Sequence, residues 1–408
     1  MEMKRQQFQS ALIVAGTAAL WQSAAHAQSS VTLYGIVDQG FSYQTSQTTL
    51  GSTSGGRSAI KMTTGVWAGS RFGFKTAEDL GGGTKAISQL EAGFNSSTGA
   101  QSVSGLLFNR QAFVGLTNDR YGALTAGRQY ASYYQILQQF GPTSWTSGYF
   151  AAHPGDVDGL DTTYRANNTL EYMSPTIAGF RFSGSYSFGN VAGSVYRGST
   201  WATGLQYTQG PIGFGVAFSR INNSTPGGGA FGADSATSNN GAQAGVSAVT
   251  NGYQTAQAQQ RFGVGASYAF SGSFDIRATY TNVQYIPGLG SRFRDLEIFN
   301  TGGVELHWKP STPLDLAAAY SYTRATKANG ISSSAQYQQF NLSEYYALSK
   351  RTGLYALQAY QRANGQTLGT NGAGNIINAT ATIGDGFNSA PSSSRSMFAA
   401  GVGIIHRF

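Results

Sequence analysis

Three aspartates stand close together near the middle of the chain, within residues 154–161. Asp156, Asp158 and Asp161 form an Asp-x-Asp-x-x-Asp pattern, whose carboxylate oxygens are of the kind that Ca²⁺ binds in proteins. The pattern lacks the spacing of an EF-hand and the Glu that closes such a loop. We therefore predict no metal site here and interpret the three side chains as negative charges on a polar loop.

The residues of a catalytic centre are missing from the sequence. There is no Gly-x-Ser-x-Gly nucleophile elbow, and His153, His307 and His406 occur in no zinc-binding spacing. Three Gly-x-Gly pairs lack the final glycine of a dinucleotide-binding motif. The pairs are Gly213 and Gly215, Gly263 and Gly265, and Gly401 and Gly403. We predict that the chain is not an enzyme, that it needs no cofactor, and that these glycines allow close packing of strands.

Cations alternate with aromatic side chains in one segment of the sequence. Successive side chains of a β-strand point to opposite faces. Arg71, Gly73 and Lys75 would therefore share one face of a strand, and Phe72 and Phe74 the other. If the phenylalanines meet lipid, the cations meet water. Because the whole chain carries a formal net charge of +8, an aqueous path lined by such residues should favour anions.

The same alternation recurs along the chain and predicts the architecture. Residues 180–188 and 261–270 place apolar side chains at every second position, against Arg, Ser and Gly. Only 11% of the residues are charged, whereas a soluble domain has about 25%. Beyond the amino terminus no run of 18 apolar residues occurs, which excludes a helical membrane protein. Lipid outside and water inside a transmembrane β-barrel explain both faces of the strands.

Short turns and long polar stretches alternate along the chain and set the number of strands. Seven turns and eight loops separate sixteen predicted strands, an even number as in single-chain bacterial barrels. The predicted loops are residues 44–66, 95–106, 131–168, 189–200, 221–260, 286–297, 325–337 and 363–395. We predict an all-β fold, a 16-stranded antiparallel barrel that is wide enough to leave an aqueous channel.

The two ends of the chain agree with this architecture. Two cations precede a ten-residue apolar run at 11–20, and a small-x-small cleavage pattern follows at 25–27. The run is shorter than the roughly 20 residues of a membrane-spanning helix. We predict a secretory signal peptide over residues 1–27 and a single barrel domain over 28–408. The last segment alternates up to Phe408, which is most easily accommodated by pairing within a closed sheet.

Several motifs resemble those of the general porins of β-proteobacteria, of the Burkholderia, Bordetella and Neisseria type. They are SVTLYGIVD at 30–38, GSRFGFK at 69–75, EDLGGG at 78–83, LEAGFN at 90–95, FNRQAFVGL at 108–116, GRQ at 127–129, NNTLEYMSP at 167–175 and HRF at 406–408. The resemblance implies a homotrimer in the outer membrane of a Gram-negative cell. In each barrel the third long loop, residues 131–168, would fold inward and narrow the pore.

The resemblance also implies a set of pore residues. In such porins basic residues of the barrel wall face acidic residues of the inward loop. The best matches in this chain are Arg71, Arg110 and Arg165, with Arg128 as a further candidate, facing Asp156, Asp158 and Asp161. Phe408 matches the terminal aromatic residue that serves as the assembly signal for the outer-membrane assembly machinery. The expected partners are membrane lipid, small hydrophilic solutes and anions, without nucleic acid.

The predicted function is therefore passive diffusion of small hydrophilic solutes and ions across the outer membrane, with anion preference. The alternative is a substrate-specific channel. Such a channel needs a ladder of stacked aromatics or arginines through its narrow part. Tyr130, Tyr133, Tyr134 and Tyr149, in or near the third long loop, keep this alternative open.

Overall fold

The computed structural model describes residues 29–145, 148–161, 165–224, 246–385 and 390–408. The predicted signal peptide, residues 1–27, lies outside these ranges, and so does part of the predicted loop 221–260. In the described ranges no helix is both long enough and apolar enough to cross a bilayer. The largest helix, α1, comprises only Ser132–Leu137.

Nearly all of the regular structure is strand. The strands are β1 (Ser30–Gln47), β2 (Arg57–Thr64), β3 (Arg71–Gly81), β4 (Thr84–Gly93), β5 (Gln111–Asn118), β6 (Gly122–Gln129), β7 (Ala166–Met173), β8 (Phe180–Ser187), β9 (Thr200–Gln209), β10 (Ile212–Asn222), β11 (Ala258–Ser271), β12 (Phe274–Ile286), β13 (Glu297–Ser311), β14 (Leu314–Ala325), β15 (Gln336–Ala347), β16 (Thr352–Asn364), β17 (Gln366–Leu368), β18 (Ile376–Asn378) and β19 (Ser396–Arg407). Only β17 and β18 stand apart, as a small hairpin within the last long loop.

Seventeen of the strands form one sheet that closes on itself. From β3 to β16 each strand pairs antiparallel with the next one in the sequence, β16 pairs with β19, and β19 returns to pair with β1. β2 and β3 both pair with β1, one after the other along its length. Counted as a single interrupted strand, they leave a ring of sixteen, and the predicted 16-stranded antiparallel barrel is confirmed. The terminal residue completes the ring, because Gly35 and Phe408 exchange backbone hydrogen bonds of 3.0 and 3.1 Å.

The predicted loop over residues 44–66 is wrong in its bounds. Strand β1 continues to Gln47 and β2 covers Arg57–Thr64, which leaves residues 48–56 as the connection between them. On β2, Ile60 and Met62 alternate outward and are 77% and 58% exposed. After β2 the chain leaves the ladder again, at residues 65–70. There the carboxylate of Asp38 accepts the backbone N–H groups of Trp67 at 2.8 Å and Ala68 at 2.6 Å, which satisfies donors that the ladder no longer uses.

The outer face of the ring is apolar and the opposite face is polar. On β15, Phe340 and Leu342 are 54% and 52% exposed, while the intervening Gln339 and Asn341 are buried. The amide groups of Gln339 and Asn341 donate to the carbonyl of Phe150, at 3.0 and 2.7 Å. Phe150 belongs to the segment between β6 and β7, residues 130–165, which we call L3. This part of L3 therefore lies against the polar face of the ring.

The first turns of L3 rest on strand positions that are occupied by glycine. Helix α1 and the short 3₁₀ turn Gln138–Phe140 that follows it bury Leu137 and Phe140. A Cβ atom at Gly263 would lie 2.6 Å from Leu137 Cδ1, and one at Gly265 would lie 2.5 Å from Phe140 Cβ. We expected these glycines to bring neighbouring strands together. Their nearest neighbours are instead the apolar side chains of L3, and the glycines provide the space that L3 fills.

Candidate functional site

Tyr130, at the start of L3, holds two arginines. Its hydroxyl accepts hydrogen bonds from Arg110 Nη2 at 3.1 Å and from Arg165 Nη2 at 2.9 Å. The guanidinium carbon of Arg165 also lies 4.8 Å from the centre of the Tyr130 ring, a cation–π geometry. The tyrosine therefore brings together one arginine that precedes β5 and one that ends L3.

The carboxylate of Glu91 partners Arg110 from the barrel wall. Arg110 Nε lies 2.7 Å from Glu91 Oε1, and both side chains are almost completely buried. The hydroxyl of Tyr34 donates to the other oxygen of Glu91 at 2.8 Å. A buried guanidinium needs such a partner, because an unpaired buried charge is strongly destabilising. The Glu91 interaction thus fixes the position from which Arg110 reaches Tyr130.

Arg71 is the third cation at this place. It is the first residue of β3 and pairs in register with Gly93, next to Glu91 on β4. Arg71 lies within electrostatic range of Arg110 and Arg165. Its guanidinium forms no hydrogen bond or salt bridge with any residue in the described ranges. The charge of Arg71 is therefore available to solutes rather than committed to a carboxylate.

One of the three aspartates of L3, Asp158, has different surroundings from those expected. Asp158 is completely buried, with its Oδ2 2.6 Å from His153 Nδ1 and 2.8 Å from the hydroxyl of Thr281, which donates to it. Burial raises the pKa of the Asp158 carboxyl, but His153, Thr281 and the nearby Arg261 outweigh burial and hold this pKa below its usual range. Asp158 thus attaches L3 to β12 instead of facing Arg71.

Asp161 is close to two other acids. The backbone N–H of Asp161 donates to Asp156 Oδ1 at 3.0 Å, and Asp385 of the last long loop pairs with Gly155 in a short parallel bridge. Burial raises the pKa of the Asp161 carboxyl well above its usual range, and the negative charges of Asp385 and Asp156 raise it further. The positive charge of Arg165 acts in the opposite direction. Asp161 therefore lies within electrostatic range of Arg165.

The family model of the Gram-negative porins matches residues 11–366 of the chain. The chain belongs to the Gram-negative porin family. This porin therefore resides in the outer membrane, crosses it with the sixteen strands of a closed ring and forms a diffusion channel for small solutes. The family and the fold both correspond to a channel rather than an enzyme.

Known relatives of this porin agree with the assignment. An outer membrane porin protein of Bordetella pertussis is 29% identical over 392 residues, which cover 86% of this chain and 94% of the relative. The major outer membrane protein P.IB of Neisseria gonorrhoeae is 34% identical over 187 residues, 44% of this chain and 49% of the relative. The anion-selective porin from Comamonas acidovorans superposes with a TM-score of 0.68 at 22% identity, covering 93% and 100% of the two chains. At that identity the superposition shows the fold alone.

Arg128 is not held by Tyr130 as Arg110 and Arg165 are. Its Nε donates to the carbonyl oxygen of Asn109 at 2.7 Å, and its Nη1 donates to the side-chain oxygen of Asn167. It lies at a bulge in β6, where the pairing with β7 shifts by one residue. In the pairing with β5, Arg128 lies opposite Ala112 and continues the alternation of Leu124 and Ala126. The bulge affects only the pairing with β7.

The sequence analysis did not identify three residues that organise this site. Tyr130 appeared only as a possible aromatic of a specific channel, and Glu91 and Arg261 were not assigned a role. The position of Glu91 on the same strand face as other polar residues was visible in the sequence, but its pairing with Arg110 depends on the register between β4 and the segment before β5. Within the described ranges no group of three His, Asp or Glu side chains could hold a metal ion.

Proposed function

We propose that this porin prefers anions, and that Arg71, Arg110 and Arg165 set the preference. The observation that carries this proposal is the convergence of Arg110 and Arg165 on one hydroxyl, that of Tyr130. Two guanidinium groups in contact with the same oxygen create a concentrated positive charge. Arg71 adds a third cation within electrostatic range, whereas Glu91 is the only carboxylate paired with Arg110 in the described ranges.

The expected size of the effect suits a diffusion channel. Two unit charges roughly 4 Å apart interact by about 1 kcal/mol in bulk water and by about 4 kcal/mol at an effective dielectric constant of about 20. An excess of two cations therefore favours chloride over potassium several-fold. It does not bind chloride tightly, and conduction requires such weak sites.

The acids of L3 provide a weaker opposing charge than three ionised aspartates would. Asp158 is paired with His153, and the raised pKa of Asp161 favours its neutral form. We propose that L3 narrows the pore between these acids and the arginines. Contacts of L3 with the polar faces of β12 and β15 support this placement.

We further propose that this porin is a homotrimer whose mature chain begins at Gln28, and that Phe408 is its assembly signal. The ring of Phe408 is 44% exposed on the outer face, while its backbone is bonded to Gly35. A carboxyl-terminal aromatic side chain that points away from the barrel is accessible to the assembly machinery before the ring closes. Cross-linking of the purified protein into a three-chain species tests the trimer.

The ion preference is tested by neutralising Arg71, Arg110 and Arg165 together to glutamine. The protein is reconstituted in planar bilayers, and the reversal potential is measured in a potassium chloride gradient. We expect chloride preference in the parent and its loss in the triple variant. The matched control neutralises three exposed arginines near the short turns, Arg120, Arg181 and Arg351. A parent that prefers potassium, or a triple variant with the parental reversal potential, contradicts the proposal.

A further inference from the structure

A cavity of 380 Å³ lies on the polar face of the ring, where Arg71 and the L3 residues Ser144 and Trp145 line it. Its volume is within the range of about 300–1,000 Å³ that is typical of small-molecule sites. The side chains that determine its chemistry are Trp67, Trp145, Tyr345, Arg71, Arg407 and Asp315. Aromatic and cationic groups therefore dominate its wall.

Aromatic rings form one side of the cavity. Trp67 lies in the break between β2 and β3, with its ring centre 5.0 Å from that of Tyr345 and 5.6 Å from that of Tyr355. The Asp38 carboxylate fixes the backbone of Trp67 through the 2.8 Å bond to its N–H group. The ring of Trp67 is therefore held in place before any solute arrives, which lowers the entropy cost of binding.

Trp145 forms the part of the cavity wall that L3 supplies. Its ring stacks on the imidazole of His307 at 3.8 Å and 3°, and the guanidinium carbon of Arg277 lies 4.8 Å from its centre. The backbone N–H of Trp145 donates to Glu305 at 3.1 Å. Residues of β12 and β13 thus hold Trp145 through its backbone hydrogen bond and through both contacts of its ring.

The charge of the cavity is positive. Arg71 and Arg407 form no salt bridge with a carboxylate in the ranges that the structure describes. Arg407 donates to the hydroxyl of Tyr345 at 3.1 Å, which leaves its other N–H groups available. Asp315, the one carboxylate among the lining residues, lies 3.1 Å from His307 Nε2 and 3.3 Å from Lys309 Nζ. Lys309, which does not line the cavity, therefore balances its negative charge.

We propose that this cavity is a binding site for small aromatic carboxylates on their way through the pore. The solute's ring would pack on Trp67 and Tyr345, and its carboxylate would accept hydrogen bonds from Arg71 and Arg407. This inference rests on the proposed function, because it uses an anion-permeable path that includes Arg71. It adds a solute class to that path, since charge alone does not distinguish an aromatic anion from an aliphatic one.

Benzoate and acetate provide the test, because they carry the same charge and differ in the ring. Conductance and reversal potential of the reconstituted porin are first recorded in potassium chloride alone, which tests the proposed function independently. Benzoate is then titrated, in parallel with acetate, cyclohexanecarboxylate and neutral benzamide. We expect saturable reduction of the chloride current by benzoate, with a half-blocking concentration about fivefold below that of cyclohexanecarboxylate. Acetate and benzamide should reduce the current only at higher concentrations.

Substitutions of lining residues, each compared with a residue outside the cavity, test the location of the site. Tyr345→Leu should raise the half-blocking concentration of benzoate about fivefold, whereas Tyr345→Phe should preserve it because the ring remains. The matched control is Tyr346→Leu, which removes the next aromatic along β15, a ring that is 49% exposed on the outer face. Arg407→Gln should weaken the block about tenfold, as expected for the loss of a charged hydrogen bond, and Arg351→Gln should not.

Several results would overturn the inference while leaving anion preference intact. Benzoate and acetate could reduce the current alike, without saturation. Tyr345→Leu could leave the benzoate block unchanged, or Tyr346→Leu could weaken it as much. Tyr345→Phe and far-ultraviolet circular dichroism of every variant show whether a lost block reflects the missing ring or a misfolded barrel.

Discussion

The ring of Phe140 occupies the space that a side chain on Gly265 would need. A Cβ atom added to Gly265 would lie 2.5 Å from Phe140 Cβ and 2.7 Å from Cγ, closer than carbon atoms approach without displacement. Gly265 is in the middle of β11, where glycine otherwise weakens a strand. The position of L3 in this porin thus depends on the absence of side chains from the wall beneath it.

Gly265→Ala should therefore destabilise the barrel and displace L3. Inserting a methyl group into a packed contact costs about 1–3 kcal/mol, and here the neighbour is a side chain of L3, which lies against the polar face of the ring. We expect a lower free energy of unfolding in urea titrations of the reconstituted protein and a changed single-channel conductance.

Gly302→Ala is the matched control for this prediction. Gly302 is also a strand glycine, on β13, but a Cβ atom there meets no other atom within 4 Å. Its substitution should leave the conductance unchanged. Equal effects of the two substitutions would show that the loss of strand glycine, and not the contact with Phe140, is responsible.

The fold could be predicted from the sequence because apolar and polar residues alternate within each strand. Period-two alternation fixes which face of β15 meets lipid, whatever its neighbours are. The position of L3 could not be predicted in this way, since it depends on contacts between distant residues. The Gly-x-Gly pairs were noticed, but Phe140, which packs on Gly265, lies more than 100 residues away from it in the chain.

The arginines of the candidate site could likewise be predicted only in part, because their identity is local to the sequence and their contacts are not. Arg110 and Arg165 were identified through motifs that resemble a known family. Their common partner Tyr130 and the alignment of Arg110 with Glu91 depend on how segments far apart in the chain meet across the ring. The bonds of Arg128 to Asn109 and Asn167 likewise depend on how separate segments of the chain meet.

Tyr130→Phe should loosen Arg165 more than Arg110. The substitution removes the hydroxyl that accepts a bond from each arginine, but Arg110 retains its 2.7 Å contact with Glu91. Each lost hydrogen bond to a charged group costs about 1.5–3 kcal/mol. We expect reduced chloride preference in a salt gradient, with a smaller shift in reversal potential than in the triple arginine variant.

Tyr134→Phe is the control for Tyr130→Phe. The ring of Tyr134 lies 4.8 Å from that of Tyr130, and its hydroxyl forms no hydrogen bond with another residue in the described ranges. Its removal should not alter ion preference. If both variants shift the reversal potential alike, the effect comes from the polarity of L3 in general and not from the hydroxyl of Tyr130.

Asp161 should make the stability of the barrel depend on pH. The pKa of its carboxyl is raised in the folded state, so the folded protein binds this proton more strongly than the unfolded chain does. Stability from this group is present at acid pH and falls as the pH rises above about 4, the ordinary value for Asp, up to the folded-state pKa. Asp161→Asn should remove this decline and be more stable than the parent at pH 8.

The measurement for Asp161 is the free energy of unfolding in urea at several pH values, for parent and variant. Asp119→Asn is the control, because Asp119 is exposed in the short turn after β5. If the free energies of unfolding of the parent and of Asp161→Asn change in parallel with pH, this carboxyl is not buried among like charges.

Glu91→Gln should destabilise the barrel and strengthen its chloride preference at the same time. Removing one partner of a buried ion pair costs about 3–5 kcal/mol, because the other charge stays buried without a counterion. The same change deletes the negative charge nearest to Arg110, which increases the positive field in the pore. Urea titration and the reversal potential report the two effects separately.

Glu78→Gln, which neutralises an exposed acid on β3, should change neither the stability nor the reversal potential. The double variant Glu91→Gln with Arg110→Gln should recover part of the lost stability, since no unpaired buried charge remains. If it is no more stable than Glu91→Gln alone, the destabilisation comes from the lost bond with Tyr34 and not from the charge on Arg110.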